Sequence, residues 1–297
     1  LSEPIKKNQF KFILEKVYLD LTQQDLEFYY SHKHRIPDYQ QFPIRWENDS
    51  RKARSELECI RDISYGQDPL ECFDLFPAGT NAPVHIFFHG GYWHSQDKDH
   101  FEFPAPAFVK NRINYVCANY PLCPGVSFSE QMNSCRKLLS FLTENIHQYV
   151  DAPKGFQLSG HSAGGQIAAM LASTNWIGEG FPTVPQIDSV LALSGVYDLN
   201  PILFLEKNKE IRLNQKEVEL FSPILFAEKM NAPLNVVVGS NEGNEFIRQA
   251  EEFAEKVKSF GLPCENMILE QTNHFSILDH FSSDQSLLWK TFMKPHS

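Results

Sequence analysis

A serine with glycine two places before it and two after, set between an apolar run and a helix of small residues, leaves a chain few folds to adopt. Residues 155–172 read GFQLSGHSAGGQIAAMLA, so Gly160-His161-Ser162-Ala163-Gly164 occupies that setting. The pattern predicts a strand, a sharp corner and a helix, with Ser162 exposed at the corner as a nucleophile. Glycine is needed on both sides because a side chain there would collide with the neighbouring strand or helix. The bare pentapeptide arises by chance in many proteins; the flanking strand and helix patterns give it weight.

The rest of the chain repeats the same alternation. Short apolar runs at 84–88 (VHIFF), 114–120 (NYVCANY), 155–160, 189–195 (SVLALSG) and 234–239 (LNVVVG) read as buried strands, with a last one at 266–271 (NMILEQ). Helical patterns lie between them. In 129–149, Met132, Leu138, Leu139 and Leu142 share a face behind an expected Ser129 cap. In 244–260, Phe246, Ile247, Ala250, Phe253, Ala254 and Val257 form one face, opposite charges. Strands and helices in this order predict a mostly parallel central sheet flanked by helices, in one domain of 297 residues. Two segments fall outside the rhythm. Residues 1–55 are expected to be helical and to cover one end of the sheet. Residues 198–232 are longer than a crossover needs, which suggests a cap or pocket insertion.

The remaining machinery of a serine nucleophile can be sought by order along the chain. His89-Gly90-Gly91-Tyr92-Trp93 follows the 84–88 strand. Gly90, Gly91 and Ala163 are the expected main-chain donors for the oxyanion of a tetrahedral intermediate. A base must take the serine proton, and a carboxylate must hold the base in its tautomer. His274 follows the last strand and precedes a final helix, as the base should. His280 lies within or near that helix and His296 in the tail. For the acid, Glu242 sits in the turn after the 234–239 strand, with Asp198 after the preceding strand and Glu245 at a helix start as rivals.

These pieces, with the runs HGGYWHSQDKDHFEF, GHSAGG, LSGVYDLNPI, LFSPI, EFIRQ and NHFSIL in that order, resemble the arylformamidases (kynurenine formamidases) and their esterase-like relatives. The resemblance spans about residues 60–280 and implies the α/β-hydrolase fold. It also implies hydrolysis of N-formylkynurenine to formate and kynurenine, in tryptophan breakdown. On its motifs Ser162, Glu242 and His274 fall on the triad, and Gly90, Gly91 and Ala163 on the oxyanion hole. The aromatic ending of His89-Gly90-Gly91-Tyr92-Trp93 is its most distinctive part, since hormone-sensitive-lipase-type esterases usually carry a third glycine in place of Tyr92. The one departure is Glu242, where Asp is common. Tyr92, Trp93 and aromatics of 198–232 are expected to flank an aryl leaving group. A carboxylesterase acting on small acyl esters is the alternative. A non-catalytic binding module of the same fold would lack the serine or the histidine, and both are present.

A formal net charge of −10 with no basic stripe argues against nucleic acid and anionic membrane as partners, leaving a small-molecule substrate. A homodimer stays open. The cysteines Cys59, Cys72, Cys117, Cys123, Cys135 and Cys264 are scattered without metal-ligand spacing, so neither a metal nor another cofactor is expected. No apolar run is long enough to span a bilayer, and the first ten residues lack the apolar stretch of a signal peptide. The expected location is cytoplasmic. The chain begins without Met, so an upstream leader stays open.

Overall fold

The computed structural model describes residues 15–292; residues 1–14 of the N-terminal segment and His296 lie outside the described residues. The strands are β1 (Lys16–Tyr18), β2 (Leu21–Thr22), β3 (Ile60–Ser64), β4 (Cys72–Phe76), β5 (Pro83–Phe88), β6 (Asn114–Ala118), β7 (Lys154–His161), β8 (Ile187–Leu193), β9 (Leu234–Gly239) and β10 (Cys264–Leu269). The helices are α1 (Gln23–Tyr30), α2 (His32–Arg35), α3 (Gln41–Glu56), α4 (Ala105–Lys110), α5 (Phe128–Asn145) and α6 (Ala163–Ala172). They continue with α7 (Asn208–Ile211), α8 (Gln215–Phe221), α9 (Asn244–Ser259), α10 (Ile277–Phe281) and α11 (Leu287–Phe292).

Eight strands form one sheet in the order β10-β9-β8-β7-β5-β6-β4-β3. From β10 to β6 every pair is parallel; β4 and β3 add an antiparallel edge. The central strands are buried on both faces, which is why they read as unbroken apolar runs. Apolar clusters cover the two faces. On one, all ten residues of α6 are buried, and its Ala and Gly residues let the helix lie close to the sheet. On α9 the buried residues are Glu245, Phe246, Gln249, Ala250, Phe253, Ala254 and Val257, while Ile247 is only half-buried. Each large apolar side chain buried this way contributes about 1.5–3 kcal/mol before entropy is set against it.

The structure departs from the sequence reading in three places. The antiparallel edge pair β3–β4 was not anticipated, nor was the β1–β2 hairpin in the N-terminal segment. Helix α5 starts at Phe128 behind a Ser127 cap rather than at Ser129. Ser127 and Glu130 close a reciprocal capping box, whereas the Ser129 hydroxyl and N–H both donate to Glu217 (3.0 and 3.1 Å). Residues 198–232, longer than a crossover needs, form short helical turns and α7–α8.

Parallel strands bring their carboxyl ends to one edge, where ligands of such sheets bind. The loops after β5, β7, β8, β9 and β10 therefore converge. The N-terminal segment docks over them: Gln249 of α9 donates to the Tyr30 hydroxyl (2.6 Å), and Tyr18 donates to Asp198 (2.6 Å).

Candidate active site

Ser162 joins β7 to α6 with φ 57° and ψ −118°, a conformation that costs a non-glycine residue about 1–3 kcal/mol. The surrounding glycines allow the corner to close. A Cβ at Gly160 would lie 2.0 Å from the Gly164 carbonyl oxygen, and one at Gly164 would lie 1.9 Å from the Phe88 oxygen. The corner is held by Ser162 N–H donating to Leu193 O (2.8 Å). Ser162 opens onto a cavity of about 670 Å³, which Gly90, Gly91, His161 and His274 also line.

Beside the serine, the loop after β5 turns through Gly91 (φ 113°), Tyr92 (φ 51°) and Trp93 (φ 57°). His89 Nδ1 lies 2.7 Å from the Gly90 carbonyl, pinning that oxygen on its own side. In a trans peptide the next N–H points the opposite way, so Gly91 N–H faces away from His89. Among the described residues, the N–H groups of Gly90, Gly91 and Ala163 have no hydrogen-bond acceptor. Three unpaired donors around one serine can receive a developing oxyanion, and the α6 N-terminus adds its positive dipole end.

His274 lies after β10, and its Nδ1 is 2.7 Å from Glu242 Oε2. The other Glu242 oxygen accepts from the Ser194 hydroxyl (2.5 Å) and from Gly239 N–H (2.8 Å). Burial pushes the Glu242 carboxyl up, and the Ser194 and Gly239 donors pull it back. Burial pushes His274 down, which keeps it neutral at pH 7. With Nδ1–H given to Glu242, Nε2 is left to accept a proton. Ser162 shares the cavity, but among the described residues no hydrogen bond joins its hydroxyl to His274. Such bonds are often loose before substrate arrives.

The other sequence candidates lie elsewhere. Asp198 accepts from Tyr18 and from Asn200 N–H (2.9 Å), and Glu245 pairs with Arg248 (2.8 Å). His280 sits in α10, 3.1 Å from the Thr272 hydroxyl. Trp93 corrects an expectation: it is buried in the core, donating to Gln166 (3.0 Å), and does not line the cavity. Nor does any aromatic of 198–232; that segment contributes Leu205, Glu206, Lys207, Lys209 and Glu210. The aromatic wall is Tyr30, Tyr39, Trp46, Tyr92, Phe101 and Phe275, half of it from the N-terminal segment.

Sequence reasoning missed four contributors. Ser194, in the turn after β8, steadies Glu242. His161, inside the pentapeptide, lies with Nε2 2.7 Å from the His274 carbonyl. His32 of α2 stacks on His274 and Arg35 donates to the Glu242 main-chain oxygen, and no local signal marks them. One group has metal-ligand spacing among the described residues: Cys59, Asp74 and Glu102, with donor atoms within 4.8 Å. Lys98 and Arg61 already neutralise Asp74 (3.0 and 3.2 Å), Arg54 pairs with Glu102, and none of the three lines the cavity.

A family model described as BD-FAE matches residues 75–257. A kynurenine formamidase of Danio rerio is 30% identical, over 82% of this chain and 84% of its own. An isoprenylcysteine alpha-carbonyl methylesterase of Arabidopsis thaliana is 24% identical, over 72% of this chain and 56% of its own. The crystal structure of a candidate thioesterase from a Silicibacter species superposes with a TM-score of 0.80 and 26% identity, covering 91% of this chain and 99% of that one. By the family match, and by a relative matched over most of both chains, this protein belongs to the arylformamidase and esterase-like α/β-hydrolases and is a hydrolase.

Proposed function

We propose that the protein hydrolyses an aryl formamide such as N-formylkynurenine, releasing formate and kynurenine through an acyl-enzyme on Ser162. The observation that carries the reading is the buried 2.7 Å Glu242–His274 contact, opening onto the same cavity as Ser162. The kynurenine formamidase among the relatives supports the choice of substrate. In the first half-reaction Ser162 Oγ bonds to the formyl carbon while His274 Nε2 takes its proton. Glu242 stabilises the imidazolium, and the N–H groups of Gly90, Gly91 and Ala163 hold the oxyanion. His274 then protonates the leaving amine as its C–N bond breaks. In the second half, water attacks the formyl carbon while His274 takes its proton, and His274 then returns that proton to Ser162 Oγ as the ester bond breaks and formate leaves. The aromatic wall suits a flat leaving group, and a formyl group needs little room beside the glycines.

The methylesterase relative favours a second reading, a carboxylesterase acting on small acyl esters with the same machinery. Turnover of N-formylkynurenine against p-nitrophenyl acetate separates the two. Ser162→Ala tests the shared chemistry: a variant that folds yet keeps most of its turnover, or still reacts with a fluorophosphonate, overturns it. In this reading the chain is one domain, with the N-terminal segment and 198–232 as the cover of its pocket. Its six cysteines are free thiols, which supports a cytoplasmic setting, and the substrate supports a role in tryptophan breakdown.

A further inference from the structure

We propose that the short helix α2 is a clamp on the acid–base pair, with His32 a positioning residue for His274; this rests on His274 being the base. The His32 and His274 rings are stacked face to face, with centroids 3.5 Å apart and planes at 11°. His161 lies near the same imidazole, its centroid at 4.6 Å and 45°, with Nε2 on the His274 carbonyl. One turn further along α2, Arg35 donates to the Glu242 main-chain oxygen (2.9 Å). A single turn of helix therefore touches the base by its ring and the acid by its backbone.

His32 offers surface rather than a hydrogen bond. Neither ring nitrogen has a partner among the described residues, and Nε2 is buried. Burial holds the ring neutral, so it brings no second charge next to the imidazolium that forms during acylation. Its own orientation is set by Phe246 (5.2 Å) and by the edge of Phe275 (5.7 Å, 74°). Rotation of His274 about its side-chain bonds would swing Nε2 away from Ser162, and a flat ring against its face blocks that rotation. The consequence is that the catalytic arrangement is incomplete without the N-terminal segment.

The test uses the full chain with His32→Ala, His32→Phe and His32→Leu, and with His274→Ala as control. Loss of the stack lowers kcat by about 10- to 100-fold, the scale of a misplaced catalytic group, while KM changes by less than about threefold. His32→Phe restores the flat face and recovers kcat to within about threefold of wild type, whereas His32→Leu does not. A His32→Ala enzyme with wild-type kcat overturns the proposal, as does equal kcat in the Phe and Leu variants. Should His32→Ala not fold, the Phe and Leu comparison decides alone. A His274→Ala enzyme that stays active would instead overturn the assignment of the base, so the two failures read differently.

Discussion

Replacing Glu242 by glutamine separates what the buried carboxylate does for catalysis from what it does for stability. The amide keeps the volume, and its oxygen still accepts from Ser194 and Gly239. Its NH₂ faces His274 Nδ1, which must then accept, so the proton moves to Nε2 and the base can no longer take one from Ser162. A carboxylate-to-amide change behind a catalytic histidine costs about 10⁴ in kcat, or about 5.4 kcal/mol at 1.36 kcal/mol per decade. Stability moves the other way. Burial raises the folded pKa of Glu242 above its unfolded value. Stability from such a group is present below the ordinary carboxylate range and lost as pH rises through the folded value. At pH 8 the wild type thus carries a buried charge that Glu242→Gln lacks. The variant should unfold at an equal or higher urea concentration, and its advantage should shrink toward pH 4. Turnover at pH 8 beside urea melts at both pH values checks this. A kcat within tenfold of wild type, or a variant less stable at pH 8 than at pH 4 relative to wild type, refutes the reasoning.

The buried histidines predict acid lability. His32, His85, His89, His161 and His274 are all pushed down by burial, His85 to about 3. Their folded pKa lies below the unfolded one, so stability is full above about pH 6.5 and falls as pH drops toward the folded values. From pH 7.5 to 5.5 the three held near 3, His85, His161 and His274, each cost about 1.4 kcal/mol, together about 4 kcal/mol, and His32 and His89 add to the loss in the same direction. Urea midpoints that stay flat down to pH 5 would contradict this, and His85→Gln should remove about 1.4 kcal/mol of that loss. Gly164→Ala places a methyl 1.9 Å from Phe88 O and 2.7 Å from His89 O, both backbone. It should cost about 1–3 kcal/mol by urea melt and depress turnover as α6 shifts from the oxyanion loop. An unchanged midpoint would show that the corner has room to spare.

The parts of the fold that were legible are those where burial on both faces forces an apolar run. VHIFF and LNVVVG sit in β5 and β9, where every side chain after Pro83 is buried. Strand β3 (IRDIS) was not legible because it is a mostly exposed edge strand bearing Arg61 and Asp62, and β4 (CFDLF) because it carries a charge into the sheet. Asp74 is fully buried there, satisfied by Lys98, by Arg61 and by the Asp62 N–H (2.7 Å). A charge that is neutralised by residues far along the chain looks, in sequence, like a surface position. The α5 start was within reach: Ser127 has Glu three residues on, which Ser129 lacks, and the capping-box rule selects it.

The site divides along the same line. Ser162, Ala163, Gly90, Gly91, Glu242 and His274 each sit next to the carboxyl end of a strand, so order along the chain is enough to nominate them. His32 lies in HKHR, a polar stretch whose composition suggests solvent. It reaches His274 only because α1 docks on α9, and the residue that registers this docking is Gln249, a polar member, with Glu245, of a largely apolar buried face. Its Oε1 accepts from Tyr197 N–H (2.7 Å) and Asp198 N–H (2.9 Å), while its Nε2 donates to Tyr30 (2.6 Å). One buried amide thus ties the N-terminal segment and the loop after β8 to the helix that follows Glu242. Periodicity marks such a residue as a flaw in the hydrophobic stripe. In the fold, that polar position ties the segment lining the pocket to the elements that hold the acid.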